Sequence, residues 1–121
     1  MTPVVEARGL DVGVGRARLL HDVGLAVAPG ERIALVGHNG AGKSTLLRAL
    51  SGFAEVRRGS LRVLDTALDR KLPPAAMRHL RRRVAFVHQG LHLVDRASAL
   101  DNVLVAAAGR LRSPMTWVRR W

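Results

Sequence analysis

The chain contains no cysteine and no tyrosine, and aromatic residues make up only 3% of its 121 positions. Without cysteine there are no disulfides and no thiolate metal sites, which fits a reducing compartment. The shortage of aromatics removes the stacking platforms on which single-stranded nucleic acids are held. Long apolar runs are missing too. The longest, such as "IALVG" and "VLVAAAG", fall far below the roughly 20 residues that a membrane-crossing helix requires. The start, "MTPVVEARGL", lacks the charged head and apolar stretch of a secretory signal, so export is not expected. Acidic residues are few: nine against 20 basic ones give a formal net charge of +11. That excess predicts attraction to phosphates, whether on nucleotides, nucleic acid or lipid head groups. Lysine is scarce as well, since Lys43 and Lys71 are the only two and every other cationic side chain is arginine.

Hydrophobic residues form 48% of the chain and alternate with polar ones in orderly segments, so the basic character sits on a folding sequence. The length allows one small domain. "VVEARGLDVGV" reads as a first strand and "LLHDVGLAVAPGE" as a second, with Val23, Leu25 and Val27 alternating before the turn at Pro29-Gly30. This is an antiparallel opening. "RIALVG", residues 32 to 37, is almost uniformly apolar, as expected of a strand buried on both faces of a parallel sheet. Leu46, Leu47 and Leu50 then fall at helical spacing from Ser44, and Ser51-Gly52 stops that helix. "GSLRVL" reads as another strand, "PPAAMRHLRRR" as a helix with a cationic last turn, and "VAFVHQ", residues 84 to 89, as a second buried strand. Ser98 and Asp101 form the cap of a helix through "LDNVLVAAA" that Gly109 would close.

Between the buried strand at 32 to 37 and the helix that follows, Gly37 to Ser44 match the spacing G-x-x-x-x-G-K-[ST]. This is the phosphate loop in the strand-loop-helix context that gives it meaning. Its glycines bring bare backbone amides close to a phosphate, and the helix adds its unsatisfied N–H groups and positive dipole end. Lys43 supplies a compact ammonium on a thin stem that folds over a tight loop, where a planar guanidinium needs more room. In a chain otherwise committed to arginine, a lysine at this position is independent support for the motif. Ser44 would place its hydroxyl on Mg²⁺, with Thr45 next to the phosphates.

With Asn39, Gly40 and Ala41 inside the loop, "GHNGAGKSTLLRALSG" resembles the Walker A segment of ATP-binding-cassette (ABC) ATPases. "RRRVAFVHQGLHLVDRASALDNV" is similar to the stretch that carries that family's Q-loop. The resemblance covers essentially all 121 residues, including the N-terminal antiparallel strands and the "APGE" turn. It implies an α/β P-loop NTPase fold, present as an N-terminal portion with an antiparallel β subdomain and an incomplete parallel core sheet. Residues 1–121 would be a partial ABC ATPase domain: 1–30 the antiparallel β region, 31–90 the P-loop core to the Q-loop, and 91–121 the start of the helical subdomain. It also implies MgATP held by Gly37, His38, Asn39, Gly40, Ala41, Gly42, Lys43, Ser44 and Thr45. Ser44 and Gln89 would face the metal, and Lys43 and Gln89 would take the catalytic positions. The family's partners are a transmembrane permease subunit, which the Q-loop faces, and a second ATP-binding subunit whose signature motif closes over the nucleotide. The implied location is peripheral, on the cytoplasmic face of the membrane. "NVLVAAAGRLRSPMTWVRRW" is further similar to ATP-binding subunits of phosphonate importers, although Trp117 and Trp121 also fit a role as ordinary apolar anchors.

The sequence departs from the family in two ways. Adenine is usually stacked on an aromatic residue of the first antiparallel hairpin, and the corresponding place here, near Val14 and Gly15, has none. By analogy with base stacking, that forfeits roughly 1 to 3 kcal/mol. The family's ATPase domain is also about twice this length, and residues 1–121 contain no apolar run ending in Asp-Glu that would serve as Walker B and catalytic glutamate. The expectation is therefore an importer's ATP-binding subunit, truncated before the signature and Walker B motifs and inactive in hydrolysis by itself. The alternatives are a nucleotide-binding module without turnover and a soluble, nucleic-acid-associated ABC protein. Nucleic acid is not the expected partner. The cluster Arg81, Arg82 and Arg83 reads as a solvated helix end with no recognition motif around it. The histidines at 21, 38, 79, 88 and 92 show no zinc spacing.

Overall fold

The computed structural model describes residues 1–90 and 93–107, which divide into two compact units at Val84 and Ala85. The first unit is built on a four-stranded antiparallel sheet of order β2-β1-β3-β4, comprising β1 (Val5–Val14), β2 (Ala17–Val27), β3 (Glu55–Val63) and β4 (Thr66–Ala67). β1 and β2 form a hairpin closed by Gly15 and Arg16, with Val14 opposite Ala17. The turn at Pro29-Gly30 is tied by Glu31, whose Oε2 accepts the Ala28 amide at 2.7 Å and whose own amide reaches the Ala28 carbonyl at 3.2 Å.

Alternation sorts the sheet into two faces. Ala7, Leu10 and Val12 of β1 and Leu61 and Val63 of β3 point into a core completed by Leu46 and Ala49 of α1 (Lys43–Leu50), Leu68, and Leu80 of α2 (Pro74–Arg83). On the same strand Glu6 and Asp11 are ion-paired: Glu6 with Arg62 at 2.8 Å and with Arg8, and Asp11 with Arg18. The step from Ala7 to Leu10 keeps both residues on the core side because the register shifts there. An eight-residue helix such as α1 is marginal by itself, and its burial of Leu46 and Ala49 against the sheet supplies the tertiary support.

α1 ends where the Ser51-Gly52 pair predicts. Phe53 N–H donates to Arg48 O at 2.7 Å and Gly52 N–H to Ala49 O at 3.0 Å, with Gly52 at φ 69°, the left-handed stop of a Schellman motif. α2 begins at proline and ends in Arg81, Arg82 and Arg83, as read from the sequence. Arg81 spans from α2 to the end of α1, with its guanidinium 4.2 Å from the Phe53 ring centre and 2.9 Å from Gly52 O.

Two expected strands are not formed. Among the described residues, 32–37 and 84–89 belong to no ladder, and the only sheet is antiparallel. Val36 and Val87 are each 93% exposed. A parallel strand exists only through its neighbours, and no described segment lies paired beside either run.

The second unit, from Ala85, contains α3 (Ala99–Ala107). Its start carries the predicted cap: Asp101 N–H donates to Ser98 Oγ at 3.1 Å, and the Ser98 hydroxyl donates to Asp101 Oδ2 at 2.6 Å. Asn102 adds contacts to the preceding turn, its Oδ1 accepting the Val94 amide at 2.8 Å. Gly109, Trp117 and Trp121 lie outside the described residues. No helix among the described residues is long and apolar enough to cross a membrane.

Candidate phosphate-binding site

Residues 37 to 42 form an exposed loop that delivers the chain into α1. Its first half is a tight turn, with the Ala41 amide donating to His38 O at 3.2 Å and the His38 Nδ1–H to Asn39 O at 2.8 Å. Gly40 and Gly42 have φ of 86° and 88°, a region that strains any residue bearing a Cβ. Gly37 is also close-set, since a Cβ there would lie 3.2 Å from that of Ala41.

Gly42 caps α1 with no side chain of its own, and the helical ladder opens with Leu46 N–H donating to Gly42 O at 2.9 Å. The amides of Lys43, Ser44 and Thr45 precede that bond, and helix geometry gives them no acceptor within the helix. They lie at the positive end of the helix dipole, with no acidic residue in the first turn to neutralise it. The backbone therefore presents unsatisfied donors where an anion would sit.

Lys43 folds back across this loop. Its Nζ donates to Gly37 O at 2.6 Å and to His38 O at 2.7 Å. An ammonium has three N–H donors, so these two contacts leave one for an incoming oxygen. Among the described residues no carboxylate is paired with Lys43. Ser44 is exposed on the first turn and Thr45 half-buried beside it.

The loop rests on β2, a contact that no motif or spacing marks. A Cβ at Gly42 would overlap the Leu20 Cδ2 methyl, and would stand 3.5 Å from Leu20 Cγ and 3.4 Å from the Leu19 carbonyl. Leu20 is one of two adjacent leucines in an apolar strand, and only the strand register shows which of them meets the loop.

The structure brings Gly37, His38, Asn39, Gly40, Ala41, Gly42, Lys43, Ser44 and Thr45 together as one continuous loop and first helical turn. Gln89 belongs to the second unit, exposed on a bend just after Phe86 and His88, whose rings lie 4.5 Å apart at 59°. No group of three or more metal-ligating side chains gathers among the described residues. The hairpin tip, where the resemblance implies an aromatic and the sequence has none, is the Gly15-Arg16 turn, whose Gly15 carbonyl accepts from Arg57 of β3.

Comparison with known proteins agrees on the lineage. Over 111 residues the chain is 45% identical to the phosphate-import ATP-binding protein PhnC of Mycolicibacterium smegmatis, covering 92% of this chain and 42% of that one. It is 42% identical over 108 residues to the phosphonates import ATP-binding protein PhnC of Frankia casuarinae, covering 89% and 42%. It is 39% identical over 102 residues to the hypophosphite import ATP-binding protein HtxD of Stutzerimonas stutzeri, covering 84% and 30%. A solved structure described as an ATP binding subunit of an ABC transporter superposes with a TM-score of 0.73 at 30% identity, over 93% of this chain and 45% of that one. The chain thus spans less than half the length of the relatives it matches. The model of the ABC transporter family matches residues 20–121, and the chain belongs to that family.

Proposed function

We propose that residues 37–45 grip the triphosphate of ATP and that the chain is the phosphate-binding portion of an importer's ATP-binding subunit. The observation that carries this reading is the Lys43 ammonium folded onto the Gly37 and His38 carbonyls, at the mouth of a glycine-bent loop whose following amides lack acceptors. On binding, the ammonium exchanges loop carbonyls for phosphate oxygens, while the backbone donors of the first turn take the remaining ones. Catalysis in such a site is positioning and charge neutralisation.

Mg²⁺ is the metal this donor set fits, a hard cation that keeps several waters and takes few protein oxygens. The exposed Ser44 hydroxyl would hold it, and Gln89 is proposed as its second contact. When bound, the ion neutralises charge on the phosphate oxygens. The relatives' names support a phosphorus oxyanion, such as a phosphonate, as the cargo of the assembled importer. The proposed partners are a permease subunit and a second ATP-binding subunit, at the cytoplasmic face of the membrane. Residues 1–121 contain no Asp-Glu following an apolar run, so hydrolysis is not assigned to them. As domain boundaries we propose an antiparallel region at 1–30, the loop core at 31–90, whose β3 and β4 complete the sheet begun by β1 and β2, and the start of a helical subdomain from 91.

Calorimetric titration with MgATP tests the reading. The 121-residue chain should bind and Lys43→Ala should not, while phosphate release by the two should be equal. Unchanged affinity in Lys43→Ala overturns the site.

A further inference from the structure

We infer that Leu20 is a positioning residue for the phosphate loop: its side chain is the floor on which Gly42 stands, and the direction of the first-turn amides depends on it. The inference rests on the nucleotide reading above. It starts from the strand register. Val12 pairs with Leu20, but the next pair is Gly13 with Arg18, so Leu19 is an extra residue on β2 without a partner on β1. Such a bulge re-aims the side chains beside it. Here the Leu20 side chain occupies the space that a Cβ at position 42 would need, with the Leu19 carbonyl along its flank.

Three features converge on that contact. Gly42 is in the left-handed region at φ 88°, so its peptide planes are held by their surroundings and not by a preference of their own. Its carbonyl receives the first helical bond, from Leu46 N–H at 2.9 Å, and Leu46 shares the core with Leu20. Leu20 itself is 8% exposed and belongs to the sheet, the most extensively paired part of the unit. The leucine thus joins a rigid element to the residue just before Lys43, and it is the side chain nearest the position a Cβ at Gly42 would take. Shortening it leaves a void under Gly42 into which the loop can tilt, turning the amides of Lys43 and Ser44 off the phosphate. Small misplacements at such sites lower binding and rate steeply.

The test compares Leu20→Ala with Leu61→Ala, a fully buried leucine on β3 opposite Ala7, on the order of 15 Å along β1 from Val12. Each chain is measured for MgATP affinity, for urea stability and for exchange of the Leu46 amide. Leu20→Ala should weaken MgATP by roughly tenfold or more, and Leu61→Ala by no more than about twofold. Leu20→Met, similar in volume, should restore the affinity, and Leu20→Val should fall between, which keeps the series readable if the alanine variant does not fold. The Leu46 amide should exchange faster in Leu20→Ala than in Leu61→Ala. Affinity losses that merely track stability in both variants, or equal exchange of that amide, overturn the inference. Unchanged affinity in Lys43→Ala overturns the nucleotide reading instead, and the Leu46 amide then decides whether Leu20 supports the loop.

Discussion

Asp11 shows how much a single side chain can carry without being visible as a motif. It is 2% exposed, and its carboxylate accepts the Asp22 amide at 2.8 Å and pairs with Arg18. The amide bond first, and the guanidinium after it, hold its pKa below the ordinary carboxylate value. The folded state therefore prefers the ionised form. Its stabilising contribution is complete above the unfolded value near about 4 and is lost as pH falls through the lowered folded value. Urea unfolding of the wild type and of Asp11→Asn should differ most near neutral pH, and the gap should shrink below about pH 4, because only the wild type has a proton to take up. A gap independent of pH would mean that the carboxylate is not ionised in the fold. Nothing in "GLDVGV" marks this aspartate, since its partners at 18 and 22 are set by hairpin register. Lys43 is the opposite case: its spacing from Gly37, in a chain with only one other lysine, singles it out as a candidate before any geometry.

Elements were legible where their signals are local. Caps, stops and proline starts gave α1, α2 and the start of α3 to within a residue or two, and the first two strands followed from alternation. β4, two residues long, has no alternation to show, and the start of β3 is hidden by consecutive arginines at 57 and 58. The stop of α1 offers a test at this scale. Gly52 has φ 69°, and a Cβ there would lie 2.7 Å from Met77 Sδ and 3.2 Å from Met77 Cε, on α2. A methionine tip can move aside, so most of the cost of Gly52→Ala is the left-handed backbone, about 1 to 2 kcal/mol. Arg81→Ala removes an exposed cation–π contact worth about 0.5 to 1 kcal/mol, together with the bond to Gly52 O. Denaturant titration should place Gly52→Ala below Arg81→Ala. The reverse order would mean that the guanidinium, more than the glycine stop, secures the end of α1.

At the scale of the whole chain, the segments that misled sequence reading are the ones whose structure depends on residues far away. "RIALVG" and "VAFVHQ" have the composition of strands buried on two faces, and composition records the environment for which a segment is suited, not whether its neighbours are at hand. The described sheet contains only β1 to β4, and Ile33, Leu35 and Val36 are exposed beside a core that closes without them. Exposed backbone outside a ladder exchanges its amide hydrogens quickly, whereas paired strands open only with larger parts of the fold. Hydrogen exchange should therefore show residues 32–37 near the unprotected rate and β1 strongly protected, both in the 121-residue chain. Adding MgATP should slow the amides of residues 40–46, where the loop and first turn would meet phosphate, and leave 33–35 fast, because a ligand protects only what it contacts or orders. Protection of 32–37 equal to that of β1 without nucleotide would mean that the run is paired after all. Slowing confined to β1 and β2, with the loop unchanged, would mean that the +11 charge attracts the nucleotide elsewhere on the surface.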